Sequence, residues 1–272
     1  MLIDTHSHLN FNAYKEDADE VIRRSLNSGI WMINVGSQYG TSKRAVEIAE
    51  KHKEGVYAGI GLHPLHLAEG IFKTKLDKEE ILFRTNNEKF DYKKYKDLAQ
   101  SKKVVAIGEI GLDYYYRPKT KIKLEDFKNR QKEVFLEQLG LAKELNLPII
   151  IHCRMAHQDL IEILKNNIGA KGVVHCFTGN WEQAEEYLKM GFYIGFNGII
   201  FKMNLDEIIK KIPLDKILIE TDCPYLTPIP MEGRNEPIYI KYIVEKIAKI
   251  KGLSYEEIEE ITRKNAGKLF CL

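Results

Sequence analysis

The sequence has little cysteine, no long apolar run and no excess of either charge, and each shortage removes a class of protein. Four cysteines in 272 residues are too few and too scattered for a disulfide framework, and no C-x-x-C spacing suggests a metal or redox role for them. No apolar stretch approaches the roughly 18 residues that a membrane span requires. The opening Met1-Leu2-Ile3-Asp4-Thr5-His6 has neither a basic nor an apolar leader pattern, so the expectation is a cytoplasmic protein that meets no membrane. Lys and Arg number 41 against 39 Asp and Glu, a net charge of +2. A general nucleic-acid binder carries a larger basic excess, so any polyanion must be held here by a local site. At 44% hydrophobic and 29% charged, the composition is that of a globular protein without a disorder signature.

What the sequence does contain is alternation. Eight strand candidates recur: Leu2 to Thr5, Trp31 to Val35, Val56 to Gly61, Val104 to Gly108, Pro148 to Ile151, Gly172 to Val174, Tyr193 to Phe196 and Lys216 to Thr221. Several are apolar on consecutive positions, as in Ile149-Ile150-Ile151, the pattern of a strand buried on both faces. Helical spacing marks Glu16 to Asn27, Arg130 to Leu145, Asp159 to Asn166, Trp181 to Met190, Leu205 to Lys211, Glu236 to Ile250 and Ser254 to Phe270. Ser254 with Glu257 forms a capping-box signature.

Alternating βα units predict an α/β fold with a parallel sheet, closed most economically as a single-domain (β/α)₈ TIM-type barrel over residues 1–272. An open doubly wound sheet is the alternative, disfavoured because no Gly-rich phosphate loop follows any strand. Leu67 to Lys103, between the third and fourth strands, is longer than one helix needs and carries both charges, including Lys73, Lys75, Asp77 and Lys78. It reads as one or two solvated helices on the barrel flank, or as a lid, because an insertion after a strand leaves from the catalytic face.

Polar residues terminate the strands. The first ends in His6-Ser7-His8, the fourth runs into Glu109, the fifth ends in His152, the sixth in His175 and the eighth leads to Asp222. In a barrel all six side chains converge on one mouth. A lone histidine at a strand end is more often an ordinary polar residue, and His52, His66 and His157 are read that way. Six such groups at five strand ends are a different matter. Imidazole nitrogens and carboxylate oxygens are the donors a divalent metal centre uses, and six exceed what one tetrahedral ion needs, so they suit two ions sharing a carboxylate. Candidate metals are Zn, Mn, Ni, Fe or Mg. His63, in Gly61-Leu62-His63-Pro64, stands at the same mouth, where it contacts an anionic substrate or leaving group or else anchors the turn that Pro64 starts; the first reading is favoured. Cys153 and Cys176 follow ligand histidines, so strand alternation sends them outward as small buried hydrophobes.

These residues sit in motifs that resemble the TatD family of metal-dependent deoxyribonucleases, within the amidohydrolase-like barrels. The motifs are Asp4-Thr5-His6-Ser7-His8-Leu9, Gly61-Leu62-His63-Pro64, Gly108-Glu109-Ile110-Gly111-Leu112-Asp113-Tyr114, Gln131-x-x-x-Phe135 and Leu147-Pro148-x-x-x-His152-x-Arg154. They continue with His175-Cys176-Phe177-Thr178-Gly179, Glu220-Thr221-Asp222-Cys223-Pro224-Tyr225-Leu226 and Arg234-Asn235-Glu236-Pro237, spanning nearly the whole chain. The resemblance implies that His6, His8 and Asp222 hold one metal and His152 and His175 a second, with Glu109 bridging. It also implies that Asp222 and Glu109 act in catalysis, and that His63, Arg154 and Arg234 bind substrate. The implied reaction is cleavage of DNA phosphodiesters, single-stranded or at ends, by a metal-activated water, with no stable protein partner. Three positions depart from the family's pattern. Met231-Glu232-Gly233-Arg234 replaces a more basic loop, Met155 stands where an acid often follows Arg154, and Asn10 stands where Asp is frequent. The less basic loop keeps an alternative open, a metal-dependent ester or amide hydrolase such as a D-aminoacyl-tRNA deacylase. A protein that binds metal without turnover would be expected to have lost a ligand, and all six are present.

Overall fold

The structure is a computed structural model that describes residues 1–67, 69–76, 79–115 and 121–272, with side chains described outside 69–86 and 121–122. All eight expected strands form one parallel sheet: β1 (Leu2–Ser7), β2 (Ile30–Val35), β3 (Val56–Ile60), β6 (Val104–Asp113), β7 (Ile149–Arg154), β8 (Gly172–Val174), β9 (Tyr193–Phe196) and β10 (Ile217–Ile219), paired in that order. The architecture is the (β/α)₈ barrel. The helices are α1 (Ala18–Asn27), α2 (Tyr39–Glu50), α3 (Tyr92–Leu98), α4 (Lys121–Glu144), α5 (His157–Lys165), α6 (Trp181–Lys189), α7 (Asp206–Lys211), α8 (Ile240–Lys251) and α9 (Tyr255–Phe270). Among the described residues no helix is long and apolar enough to cross a membrane.

Two apolar layers hold the barrel together. Leu2, Met32, Ile60, Ile107, Ile149 and Ile151 face the helices in one cluster. Ile3, Ile33, Val35, Val105, Ile150, Val173 and Leu218 form the other, closed below by Ala266, Leu269 and Phe270 of α9. The capping box at Ser254 is present: Glu257 N donates to Ser254 Oγ at 3.1 Å and Ser254 N to Glu257 Oε2 at 2.8 Å, starting α9.

The long connection after β3 differs from the expected one or two solvated helices; action as a lid is a separate matter of function. β4 (Glu69–Leu76) and β5 (Glu79–Asn86) pair antiparallel from Glu69↔Asn86 to Leu76↔Glu79, and only the short α3 follows. Ile71, Phe72 and Thr74 against Ile81, Phe83 and Thr85 are strand-forming residue types, and the dense charges between them resemble a solvated helix when read alone. Asp77 and Lys78, two of the charges noted in the sequence, lie outside the described residues. The base of this insertion is tied to the barrel mouth: Glu88 N donates to His66 O at 2.8 Å, and Tyr39 N to Glu88 Oε1 at 3.2 Å. Helix α2 is an addition to the sequence reading; Gly40, Thr41 and Ser42 in its first turns mask its periodicity.

Three local features aim the mouth residues. In β1 the register advances from Asp4↔Met32 to Ser7↔Asn34, so one extra residue is inserted. Strict alternation from the interior Ile3 would face His6 toward the helices; the bulge turns His6 and His8 inward. A second bulge in β6, between Ile107↔Ile149 and Ile110↔Ile151, does the same service for Glu109, and the strand runs on to Asp113. The seam between β10 and β1 is closed by Asp222 N donating to His6 O and His8 N to Cys223 O, both at 2.8 Å. Thr221 N donates to buried Asp4 Oδ1 at 2.9 Å, and Thr5 Oγ1 to Ile219 O at 3.1 Å.

Gly111 tests how strictly the β6–β7 pairing is built. Its φ is +144°, and an added Cβ would lie 2.0 Å from the His152 carbonyl oxygen. Gly111→Ala is expected to destabilise the fold by roughly 3 kcal/mol or more, read as a lowered urea midpoint; an unchanged midpoint would show the pairing to be tolerant.

Candidate metal centre

Begin with β1. His8 Nδ1 lies 2.7 Å from Val35 O, and a carbonyl only accepts, so Nδ1 carries the proton and Nε2 keeps its lone pair toward the mouth. Asn10 Nδ2 donates to the same carbonyl at 3.1 Å and to Thr41 O at 2.9 Å, a task an Asp at this position could not perform. His6 Nε2 and His8 Nε2 stand 3.0 Å apart. Two nitrogens bound to one ion at about 2.0–2.1 Å are about 2.9–3.4 Å apart, so the pair already has the spacing of one coordination edge. Asp222, with φ +56° at the seam, puts Oδ1 3.4 Å from His8 Nε2 and 3.7 Å from His6 Nε2.

Glu109 faces both sides. Its Oε2 lies 3.5 Å from His6 Nε2 and 3.8 Å from His8 Nε2. Its Oε1 lies 2.9 Å from His152 Nδ1, 2.9 Å from His175 Nε2 and 3.4 Å from His63 Nε2. The six residues expected at the mouth are therefore together, with His63 beside them. His63 Nδ1 accepts from Leu65 N at 3.1 Å. That bond leaves the proton on Nε2, so neutral His63 presents a donor to the site.

The centre is electrostatically incomplete without cations. Burial alone would favour the neutral acid of Glu109, but the surrounding imidazoles, His63 and His175 foremost, hold its carboxyl well below the usual range. Asp222 is likewise held down against burial by its contact with His8. Burial opposes protonation of His152, yet Asp113 and Glu109 push it up to about 9; Glu109 and Glu220 raise His175 in the same way. Burial keeps His6 below its ordinary value, and buried His6 Nδ1 has no hydrogen-bond partner among the described residues. Buried carboxylates need positive charge nearby. Protons on imidazoles supply it in the absence of metal, and divalent ions fit the same donors: His6, His8 and Asp222 make one compact ligand group, and His63, Glu109 and His152 another.

Two supporting carboxylates were not singled out from the sequence. Asp113 Oδ2 lies 3.0 Å from His152 Nε2, orienting the ring so that Nδ1 faces Glu109. Buried Glu220 places Oε1 3.3 Å from His175 Nδ1 and accepts from Cys176 N at 2.7 Å and Asn197 Nδ2 at 3.1 Å. Both follow the rule that a metal-site histidine is steadied by an acceptor at its far nitrogen. Asp113 stands four residues past Glu109, and Glu220 two before Asp222; that closeness to the expected site residues was the available signal.

Arg154 ends β7 beside the cluster. Arg234 is committed elsewhere: its guanidinium donates to both carboxylate oxygens of Asp17 and lies over the Tyr14 ring, 4.2 Å from the centroid. His66 pairs with Ser37 at 3.3 Å and His157 with Tyr187 at 3.0 Å, as expected of ordinary polar residues. Cys153 is buried in the helix-facing cluster. Cys176 departs from the expected outward path: β8 stops at Val174, the residue takes φ +44°, and its thiol faces Asn197 Oδ1 at 3.6 Å.

A family model described as TatD related DNase matches residues 3–271. The chain belongs to the TatD-related DNase family. Among TatD-family relatives, an uncharacterized metal-dependent hydrolase, YabD of Bacillus subtilis, is 44% identical, with 99% of each chain covered. A protein named 3′-5′ ssDNA/RNA exonuclease TatD, from Erwinia tasmaniensis, is 32% identical over the full length of both. The crystal structure of the TatD homologue YjjV from Escherichia coli superposes with a TM-score of 0.84 at 27% identity, covering 100% of this chain and 98% of that one.

Metal loading of this TatD-family centre should displace protons. His152 in the metal-free protein holds a proton up to about pH 9, against an ordinary 6.5. Between those values metal binding is expected to release at least one proton per chain, from His152 and with His175 adding to it, the His152 share fading above pH 9. Calorimetry in buffers of different ionisation enthalpy reads this directly; no release at pH 7.5 would contradict the charge assignment.

Proposed function

We propose that the protein is a metal-dependent phosphodiesterase that cleaves DNA, single-stranded or at its ends, using two divalent ions. His6, His8 and Asp222 would hold one ion and His152 and His175 the other, with Glu109 shared between them. The observation that carries this reading is the division of Glu109, whose Oε2 faces His6 and His8 while Oε1 faces His152 and His175. When bound, such ions acidify water and neutralise charge on phosphoryl oxygens; Zn, Mn, Ni, Fe and Mg all suit these donors.

The chain's own groups do the rest. Asp222, ionised beside His8, takes the proton of the attacking water at a carboxylate oxygen. His63 donates from Nε2 to a substrate oxygen or the departing alkoxide, its tautomer fixed by Leu65 N. Arg154, two residues past His152 on the same strand, offers its guanidinium to the phosphate. Arg234, expected from the resemblance to bind substrate, is assigned instead to anchoring the loop before α8 through Asp17. The name of the Erwinia relative supports a nucleic-acid substrate. Glu232 and the net charge of +2 favour a second reading, hydrolysis of an ester or amide such as a D-aminoacyl-tRNA, by the same ions and residues.

End-labelled oligodeoxynucleotides with each metal in turn test the choice. Divalent-dependent shortening of single strands is expected, reduced about 10²–10⁴-fold in Asp222→Ala. Intact DNA with a fully metallated protein that deacylates aminoacyl-tRNA would replace the first reading with the second. In the same assay, Arg154→Ala should raise KM about tenfold or more, as expected for a charge-assisted phosphate contact. Arg234→Ala should leave KM within about twofold and lower stability by about 1–2 kcal/mol; a reversed pattern would return Arg234 to the substrate.

A further inference from the structure

Beyond the metal ligands, the mouth carries an aromatic layer that hydrolysis of a bare phosphodiester does not require. Tyr115 lies two residues past the end of β6 and is 50% exposed, whereas its neighbour Tyr114 is buried and donates its hydroxyl to Asp159 Oδ2 at 2.8 Å. Over the Tyr115 ring sits the guanidinium of Arg154, 3.6 Å from the centroid, the separation of a face-to-face stack.

The layer is registered to the metal centre. Asp113 Oδ1 accepts from Tyr115 N at 2.8 Å, while Oδ2 of the same carboxylate lies 3.0 Å from His152 Nε2. Tyr114 N donates to Arg154 O at 2.9 Å, tying the two loop starts together. Arg154 shares a strand face with His152 and stands one two-residue step, about 6.6–6.8 Å, nearer solvent. Next to it in sequence, Met155 is 61% exposed with φ +57°.

The geometry points to a nucleobase subsite: the Tyr115–Arg154 layer stacks the base of a nucleotide adjoining the scissile phosphodiester while the Arg154 N–H groups reach its phosphate. This rests on the phosphodiesterase reading above and adds to it the requirement for a base. Bases stack on aromatic rings and on guanidinium planes, and because every base has a π-face such a site is tolerant of sequence.

The test uses the metallated full chain and a hexadeoxynucleotide, compared with versions carrying an abasic residue at each of the three positions nearest either end. Removing one particular base should lower kcat/KM at least about fivefold, the lower end of what a stacked base contributes. Tyr115→Leu should lower kcat/KM on the intact strand by a similar factor, with little further effect on that abasic strand, and Tyr115→Phe should behave as the parent. Quenching of 2-aminopurine placed at that position should be lost in Tyr115→Leu and kept in Tyr115→Phe. An unchanged rate in Tyr115→Leu, or an equal loss on intact and all abasic strands, overturns the subsite while leaving the DNA-cleaving reading in place. Failure of the parent protein to cleave any of these strands would overturn both.

Discussion

Five imidazole nitrogens lie within 3.8 Å of the two carboxylate oxygens of Glu109. One buried carboxylate surrounded by His6, His8, His63, His152 and His175 is a poor arrangement for a neutral interior, because it stores charge that water cannot reach. It becomes a good one when cations occupy the centre. The supporting groups repeat this theme: Asp113 behind His152, Glu220 behind His175, and the Val35 carbonyl behind His8 each fix a ring so that its other nitrogen faces inward. Orientation of the rings, more than their mere presence, is what turns these nitrogens toward one another and toward Glu109.

The barrel delivers that orientation through its irregularities. Regular strands would present every second residue to the interior, and His6 would then face the helices. Single-residue bulges in β1 and β6 change the parity where ligands are needed. The β10–β1 seam adds a third irregularity, a residue with positive φ at Asp222, whose backbone nitrogen is held by the His6 carbonyl. Apolar packing and the polar cluster are divided by height in the barrel: Ile3, Ile150, Val173 and Leu218 fill its interior, and the next inward positions toward the strand ends carry the clustered histidines and carboxylates.

Much of this was legible in the sequence because the signals were periodic or chemical. β-branched runs gave all eight barrel strands, and polar residues at their ends gave the six side chains that meet at the mouth with His63 beside them. What escaped was set by tertiary context. The bulges leave no mark in composition, so β6 was read as ending at Gly108 although it runs to Asp113. Asp113 and Glu220 are ordinary acids until a histidine is found against each. Arg234 lies in a family motif, and only the position of Asp17, far away in sequence, shows where its guanidinium goes. The β4–β5 pair lies in a segment whose charges suggested one or two solvated helices or a lid and outweighed the strand-forming Ile71, Phe72, Ile81 and Phe83. Cys176 escaped strand alternation because β8 had already ended.

The most direct measurement is anomalous diffraction from crystals of the protein grown with Mn²⁺ or Zn²⁺. Two peaks are expected at Glu109, one among His6, His8 and Asp222 and the other against His152 and His175. A single peak away from Glu109, or ordered histidines with no bound ion at saturating metal, would contradict the shared-carboxylate centre.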